Sequence, residues 1–339
     1  MQSIQNIGST PYVEAPRGQQ LRSLMSRSRK GPLRKIFAIT GIVLSILWEV
    51  LRLVVSTLIS LVRAPVEKDI SGQLALVTGG ANGLGKEICL LLAGKRCNVA
   101  VADLDTLNGE KTAEELRQLG VKSQFFKVDI SQYESVQELK QQIESTLGDV
   151  DIVVNNAGVM PLFSVREGTA DQIRKTMDIN LLAHFWTTRA FLDGMISRRR
   201  GHIVGIASAT SFFPVGRICA YVSSKYGARG FMDALHEELF YEGLEGQVNS
   251  TAVYPMFMNT RREVTDVLQK LNMLGRIPMY SARYSAKLIV RGLIRNQRQV
   301  FIPKRFGILM REMEAIPLPI KRIIQKVYFK MPAIPNLTS

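Results

Sequence analysis

A tyrosine and a lysine four residues apart can share acid–base work on a helix, because positions i and i+4 lie on one face. The chain has 339 residues and nine tyrosines, and only Tyr221 has that partner, Lys225. A nearby ammonium favours the phenolate, so the pair could exchange a proton with a substrate hydroxyl at usable pH. The spacing alone is a weak signal, since surface pairs often show it. Ser208 lies thirteen residues upstream, at the end of an apolar strand expected over His202–Ile206 after Gly201. Ligands bind at the C-terminal ends of parallel strands, so a hydroxyl there could hold a substrate oxygen beside Tyr221.

A second group of residues suits a phosphate. Thr78-Gly79-Gly80-Ala81-Asn82-Gly83-Leu84-Gly85 follows a short apolar strand, Gln73–Val77, and opens a helix to about Ala93. Missing side chains let a pyrophosphate approach backbone N–H groups at a helix N-terminus. A plain structural turn is the competing explanation, and the position between strand and helix argues against it. The next strand, Cys97–Ala102, ends at Asp103, 24 residues after Gly79. A carboxylate there can accept both ribose hydroxyls of an adenosine and repels a 2′-phosphate. No basic residue lies among Gly80–Asn82 or at Leu104. NAD is therefore expected over NADP, with a capping or loop aspartate as the alternative.

These residues need a frame, and the pattern supplies one. After Asp103 come a polar helix (Leu107–Leu119), a strand (Gln124–Val128), a helix (Tyr133–Thr146) and a strand (Asp151–Asn155). Repeated β-α alternation implies a parallel sheet with right-handed crossovers. The expected class is α/β, a doubly wound Rossmann-type parallel sheet flanked by helices, with an N-terminal membrane-associated helix. Gln299–Pro303 reads as a last strand, and Gly230–Glu242 as a continuation of the tyrosine helix. Residues 1–34 form a basic flexible tail, 35–65 an apolar anchoring helix, 66–305 the catalytic domain and 306–339 a basic amphipathic extension.

With 46% hydrophobic and 22% charged residues, a disordered or collagen-like chain is excluded. Cys89, Cys97 and Cys219 are scattered, which excludes a disulfide framework and a cysteine-rich zinc site. His184, His202 and His236 show no metal spacing, and His184 and His202 read as structural. The net charge of +15 sits at the ends. Residues 1–70 carry 10 basic and 4 acidic side chains, residues 71–260 carry 18 and 21, and residues 261–339 carry 16 and 4. Basic ends suit nucleic acid or lipid headgroups. No zinc-finger or RRM-like signature supports nucleic acid.

The apolar run Ile36–Val62 favours lipid. It spans 27 residues, with charge only at Glu49 and Arg52. Ser45, Glu49, Arg52, Ser56 and Ser60 share a narrow polar stripe, which suits a helix lying in the interface or one end of a shallow hairpin. A single span competes with it, and a buried helix is the bland alternative. The run is too long and starts too late for a cleavable signal peptide. Seven Lys and Arg precede it against Glu14, which places the N-terminus on the cytoplasmic side. Near the other end, Ile320–Met331 mixes Lys321, Arg322, Lys326 and Lys330 with Ile323, Ile324, Val327 and Phe329, a candidate for docking on anionic lipid or for packing on the domain. Arg261–Ser281 suits a mobile substrate lid or a packed connection equally.

Taken together, the motifs resemble the short-chain dehydrogenase/reductase family over roughly residues 70–303. Thr78–Gly85 resembles its T-G-x-x-x-G-x-G turn, and Asn155-Asn156-Ala157-Gly158 its N-N-A-G strand end. Asn180, Ser208, Tyr221 and Lys225 fall where its catalytic tetrad lies. Pro255 to Thr260 resembles the segment after its sixth strand, with Met256 in place of the usual Gly. The apolar N-terminus, Ala183-His-Phe-Trp-Thr-Thr188 and the basic C-terminus look like its membrane-associated branch, which holds retinol dehydrogenases, 17-beta-hydroxysteroid dehydrogenases and lipid-droplet members.

The resemblance implies a cofactor held by Gly79, Asn82, Gly83, Leu84, Gly85, Asp103, Asn156, Ala157, Gly158, Tyr221, Lys225, Pro255 and Thr260, with Asp129 and Ile130 flanking the adenine. It implies Asn180 supporting a water chain, Lys225 also holding the nicotinamide ribose, and a homodimer. The expected activity is NAD-dependent oxidation of a lipophilic alcohol such as retinol, a hydroxysteroid or a long-chain alcohol. It would take place at the endoplasmic reticulum or a lipid droplet, with the catalytic domain in the cytosol. An NADPH-dependent reductase and an idle cofactor-binding scaffold at a lipid surface are the alternatives.

Overall fold

The computed structural model describes residues 66–259, 278–312 and 316–328, with isolated helical positions between Thr40 and Leu51 and at Thr265 and Gln269. The expected basic tail, most of the apolar segment, most of the expected lid and Thr260 lie outside the described residues. Among the described residues, no helix is long and apolar enough to cross a membrane.

Seven parallel strands form the sheet, in the order β3-β2-β1-β4-β5-β6-β9. They are β1 (Leu74–Thr78), β2 (Asn98–Asp103), β3 (Ser123–Lys127), β4 (Ile152–Asn155), β5 (Gly201–Ile206), β6 (Val248–Pro255) and β9 (Gln299–Ile302). A two-stranded parallel pair, β7 (Met258–Asn259) and β8 (Tyr280–Ser281), brackets the segment between them. The helices are α1 (Gly83–Ala93), α2 (Thr106–Gln118), α3 (Tyr133–Thr146), α4 (Ala170–Met177), α5 (Ala183–Ser197), α6 (Cys219–Tyr241), α7 (Ala282–Ile294), α8 (Phe306–Glu312) and α9 (Leu318–Tyr328). The expected strands and helices fall within a residue or two of these. The strand expected over His202–Ile206 ends at Ile206, and Ser208, two residues on, caps a short turn of 3₁₀ helix, Ala209–Ser211.

Central strands of a parallel sheet are covered on both faces, so every residue of β1, β4 and β5 is buried. Alternation splits them between two cores. Leu74, Leu76, Val153 and Ile203 face Ile143 of α3, Phe191 of α5 and Met232 of α6. Ala75, Val77, Val154 and Val204 face Ile88 of α1, Leu116 of α2 and Ile289 of α7. The strand order turns back between β1 and β4, so the loops after them diverge and leave a crevice at the C-terminal edge.

Entry to the domain is tied down. The Lys68 N–H donates to the Ile294 carbonyl at 2.7 Å, and Arg295 pairs with Glu67 at 2.7 Å. The Lys68 ammonium lies 2.7 Å from His202 Nδ1 in β5, and burial pushes that lysine down to about 8. On α2, Gly109 faces the Phe125 ring so closely that an added methyl would overlap it. Gly109→Ala is expected to destabilise by about 1–3 kcal/mol, despite the higher helix propensity of Ala, as read by urea unfolding. A stabilised variant would show that the ring yields freely.

Candidate active site

At the crevice, the turn after β1 is shaped by close approach. Gly79 has φ +64°, and a Cβ there would stand 2.9 Å from Ala157 Cα. A Cβ on Gly85 would overlap the Gly79 carbonyl. Thr78 braces this turn to the loop after β4: its Oγ1 accepts from the Asn156 and Ala157 N–H groups, both at 3.1 Å. Asn156 Nδ2 donates to the carbonyls of Thr78 and Gly79 at 2.9 and 3.1 Å.

The start of α1 is left open to a ligand. Asn82 occupies its N-cap position but makes no side-chain cap, and no acid lies in the first turn. Asn82 instead donates to Asp105 at 2.9 Å. Backbone donors at a helix start without a side-chain cap fit a pyrophosphate. Asp103 ends β2 with Oδ2 accepting from Ala81 N–H at 3.0 Å and Oδ1 from Asp105 N–H at 3.1 Å. The carboxylate is thereby aimed along the glycine turn. The helix-capping aspartate is its neighbour Asp105, which caps α2. Asp129 caps its own turn through Ser131, and Ile130 is buried in the core. Pro255 ends β6 at the same edge, and Leu84 is buried at the start of α1.

Asn180, Ser208, Tyr221 and Lys225 are brought together by three elements. Asn180 sits in a π-helical turn, Asp178–Leu182, that joins α4 to α5. It is fully buried, accepts from Val159 N–H at 2.8 Å and donates to the Val159 carbonyl and Ser224 Oγ at 2.9 and 3.0 Å. Its side chain is thus spent as a brace between the loop after β4 and α6. Lys225 is 4% exposed, and its ammonium donates to the Ile206 carbonyl at 2.8 Å. A Cβ on Gly158 would stand 3.2 Å from Asn180 Oδ1, a tight approach, and 3.5 Å from Lys225 Nζ, an ordinary contact.

Tyr221 lies one turn before Lys225, whose ammonium is 6.0 Å from the ring centroid. The phenol hydrogen-bonds Ser208, which favours the phenolate, but burial outweighs this and holds the group above its ordinary value. In this arrangement the amine serves the Ile206 carbonyl, and desolvation dominates the phenol.

Two contributors escaped the sequence reading. Ser224 accepts from Asn180 and donates to the Tyr221 carbonyl at 2.7 Å, and Ser211 Oγ donates to the Lys225 carbonyl at 2.8 Å. Adjacency of Ser224 to Lys225 was the one signal available. Around the mouth, Met160, Leu162, Phe257 and Met279 are half-buried against the core, an apolar surround.

Burial pushes Lys225 from 10.5 down to about 8. The unfolded chain then binds more protons than the native one between those values, so this group makes stability rise with pH across that window. Lys225→Met is expected to be more stable than the wild type at pH 7, by up to about 3 kcal/mol. The gap should narrow as pH climbs from about 8 to 10.5, as read by urea unfolding. A gap that stays constant would count against desolvation as its cause.

Residues 73–270 match the family described as short chain dehydrogenase. Estradiol 17-beta-dehydrogenase 11 of Rattus norvegicus is 34% identical over 243 residues, covering 72% of this chain and 79% of its own. The 17-beta-hydroxysteroid dehydrogenase 13 of Homo sapiens is 30% identical over 290 residues, covering 85% and 94%. Retinol dehydrogenase 10-B of Danio rerio is 31% identical over 260 residues, covering 71% and 77%. Among solved structures, a short chain dehydrogenase/reductase from Burkholderia phymatum in complex with NAD superposes with a TM-score of 0.66 at 20% identity, covering 72% and 93%. A metagenomic short-chain oxidoreductase in complex with NADP gives 0.57 at 26%, covering 68% and 93%. Sequence and fold therefore agree that the chain belongs to the short-chain dehydrogenase/reductase family, as an NAD(P)-dependent oxidoreductase related to the hydroxysteroid and retinol dehydrogenases.

Proposed function

We propose that the protein oxidises a lipophilic alcohol with NAD, with Tyr221 as the general acid/base. The observation that carries this reading is the buried Lys225 ammonium, 6.0 Å from the Tyr221 ring centroid, at the same sheet edge as the open start of α1. Gly79, Asn82, Gly83, Leu84, Gly85, Asn156, Ala157, Gly158, Pro255 and Thr260 would hold the cofactor, with Asp129 and Ile130 near the adenine. Asp103, with no basic residue among Gly80–Asn82 or at Leu104, favours NAD. Bound NAD supplies a hydride acceptor. Ser208 holds the alcohol oxygen, and Tyr221 takes the hydroxyl proton. Before that transfer Tyr221 is the phenolate, and Lys225 lends its charge to it from within a water-poor site, where that charge acts more strongly than in solvent. The apolar mouth suits retinol, a hydroxysteroid or a long-chain alcohol. Reduction with NADPH, or an idle scaffold, would leave Asp103 or the Ser208–Tyr221–Lys225 set without a purpose.

The site would face lipid. Leu44, Leu47, Trp48 and Leu51 are exposed at helical spacing, one apolar face, although the stretch also carries Glu49. On α9, Leu318, Ile320 and Ile323 are exposed beside Lys321 and Arg322. Such faces bind an anionic interface, consistent with the endoplasmic reticulum or a lipid droplet and a cytosolic catalytic domain. Phe185 on α5 and Phe240 on α6 are exposed and would meet in a homodimer.

Purified protein is expected to form NADH from members of a panel of lipophilic alcohols, at least about tenfold faster with NAD than with NADP. Tyr221→Phe should lower that rate by about 10²–10⁴ while NAD still binds; full turnover by this variant would defeat the assignment. Residues 67–339 alone should float with anionic vesicles, and Ile323→Glu should weaken this. Flotation unaffected by that change would remove α9 as a contact.

A further inference from the structure

On the α5 and α6 side of the sheet, buried polar atoms lack protein partners. His184 is 1% exposed, and neither Nδ1 nor Nε2 has a hydrogen bond among the described residues. Asn155 is equally enclosed: its Oδ1 accepts from Thr187 Oγ1 at 2.6 Å, while its Nδ2 has no partner. Thr188, one turn after His184 on the same helix face, is buried with Oγ1 unmatched.

The sheet register brings these groups together. Asn155 pairs with Gly205 across β4 and β5, so both face the same side. A Cβ on Gly205 would overlap Met232 Sδ at 2.5 Å and stand 3.3 Å from His184 Nδ1, so the glycine admits the Met232 side chain and the imidazole packs close beside the strand. The next carbonyl, Ile206, is the one that holds the Lys225 ammonium. From α6, Lys225 is the one charged group acting on His184 among the described residues, and Phe231 and Met232 are the apolar neighbours.

An unmatched buried polar atom is costly, and a buried water with two to four partners normally meets such groups. A neutral imidazole offers one donor and one acceptor, and the Asn155 amide offers a donor. Burial, and then the charge of Lys225, holds His184 down to about 3, so it stays neutral at working pH.

We infer that His184, Asn155 and Thr188 enclose an internal water behind the Ile206–Lys225 hydrogen bond, and that His184 is a positioning residue which, through that water, solvates the Lys225 ammonium. The second half rests on the proposed role of Lys225 beside Tyr221. Removing the polar ring would desolvate the ammonium further, weaken its charge and raise the phenol.

A crystal structure of the wild-type protein that shows ordered waters is expected to place one within hydrogen-bond distance of His184 and of Asn155 Nδ2. A dry niche overturns the water site whatever the activity. Tyrosinate absorbance is then titrated, as the difference between each protein and the same protein carrying Tyr221→Phe. His184→Phe is expected to shift the Tyr221 titration up by about half a pH unit or more, and His184→Gln, which keeps a donor and an acceptor, by about none. Equal titrations in wild type and His184→Phe overturn the positioning role. Asn155→Leu, which removes the other partner, supplies a second test should His184→Phe fail to fold. It is expected to shift the titration the same way, and no shift overturns the role. Because neither readout needs turnover, failure of the dehydrogenase reading would appear separately, as no NADH from any alcohol.

Discussion

The ammonium of Lys225 is almost wholly out of water, and the arrangement around it follows from keeping it there. A buried charge needs partners, and its first is the Ile206 carbonyl at the end of β5. Gly158 packs close to Asn180, which fixes the loop that carries it. Ser224, the residue before the lysine, closes the link between Asn180 and the Tyr221 carbonyl. One cation thus sets the residue types on the loop after β4, in the π-helical turn before α5 and on α6.

The phenol is the other half of this constraint. Burial raises both the cost of a phenolate and the cost of an ammonium, so the two groups have opposite needs when each stands alone. Charge on one offsets the cost of charge on the other, and their separation of one helical turn makes that exchange available. The hydrogen bond from Ser208 adds to it and explains why a hydroxyl ends the loop after β5.

The crevice has its own brace. Thr78 and Asn156 lock the glycine turn to the loop after β4 through four hydrogen bonds. The glycine turn and the loop near Lys225 are therefore tied into one piece. Asp103 is held from the same turn by the Ala81 N–H, so the end of β2 is coupled to the same frame.

The doubly wound class was legible because parallel central strands must be apolar throughout and helices must carry one apolar face, and both patterns repeat along residues 74–206. The glycine turn was legible because the close approach at Gly79 and Gly85 tolerates no Cβ, and the pairing of Tyr221 with Lys225 because four residues make one helical turn. By itself, then, the sequence determined the order of elements and which local groups share a face. Tertiary structure alone decided that Asn180 is spent as a brace, that Ser224 and Ser211 support the lysine, that Asp105 rather than Asp103 caps a helix, and that burial holds the Tyr221 phenol above its ordinary value. The brace and the supports of the lysine depend on groups 14 to 44 residues apart in the chain meeting in the folded state. They depend equally on how much water is excluded there, and neither quantity is carried by local spacing.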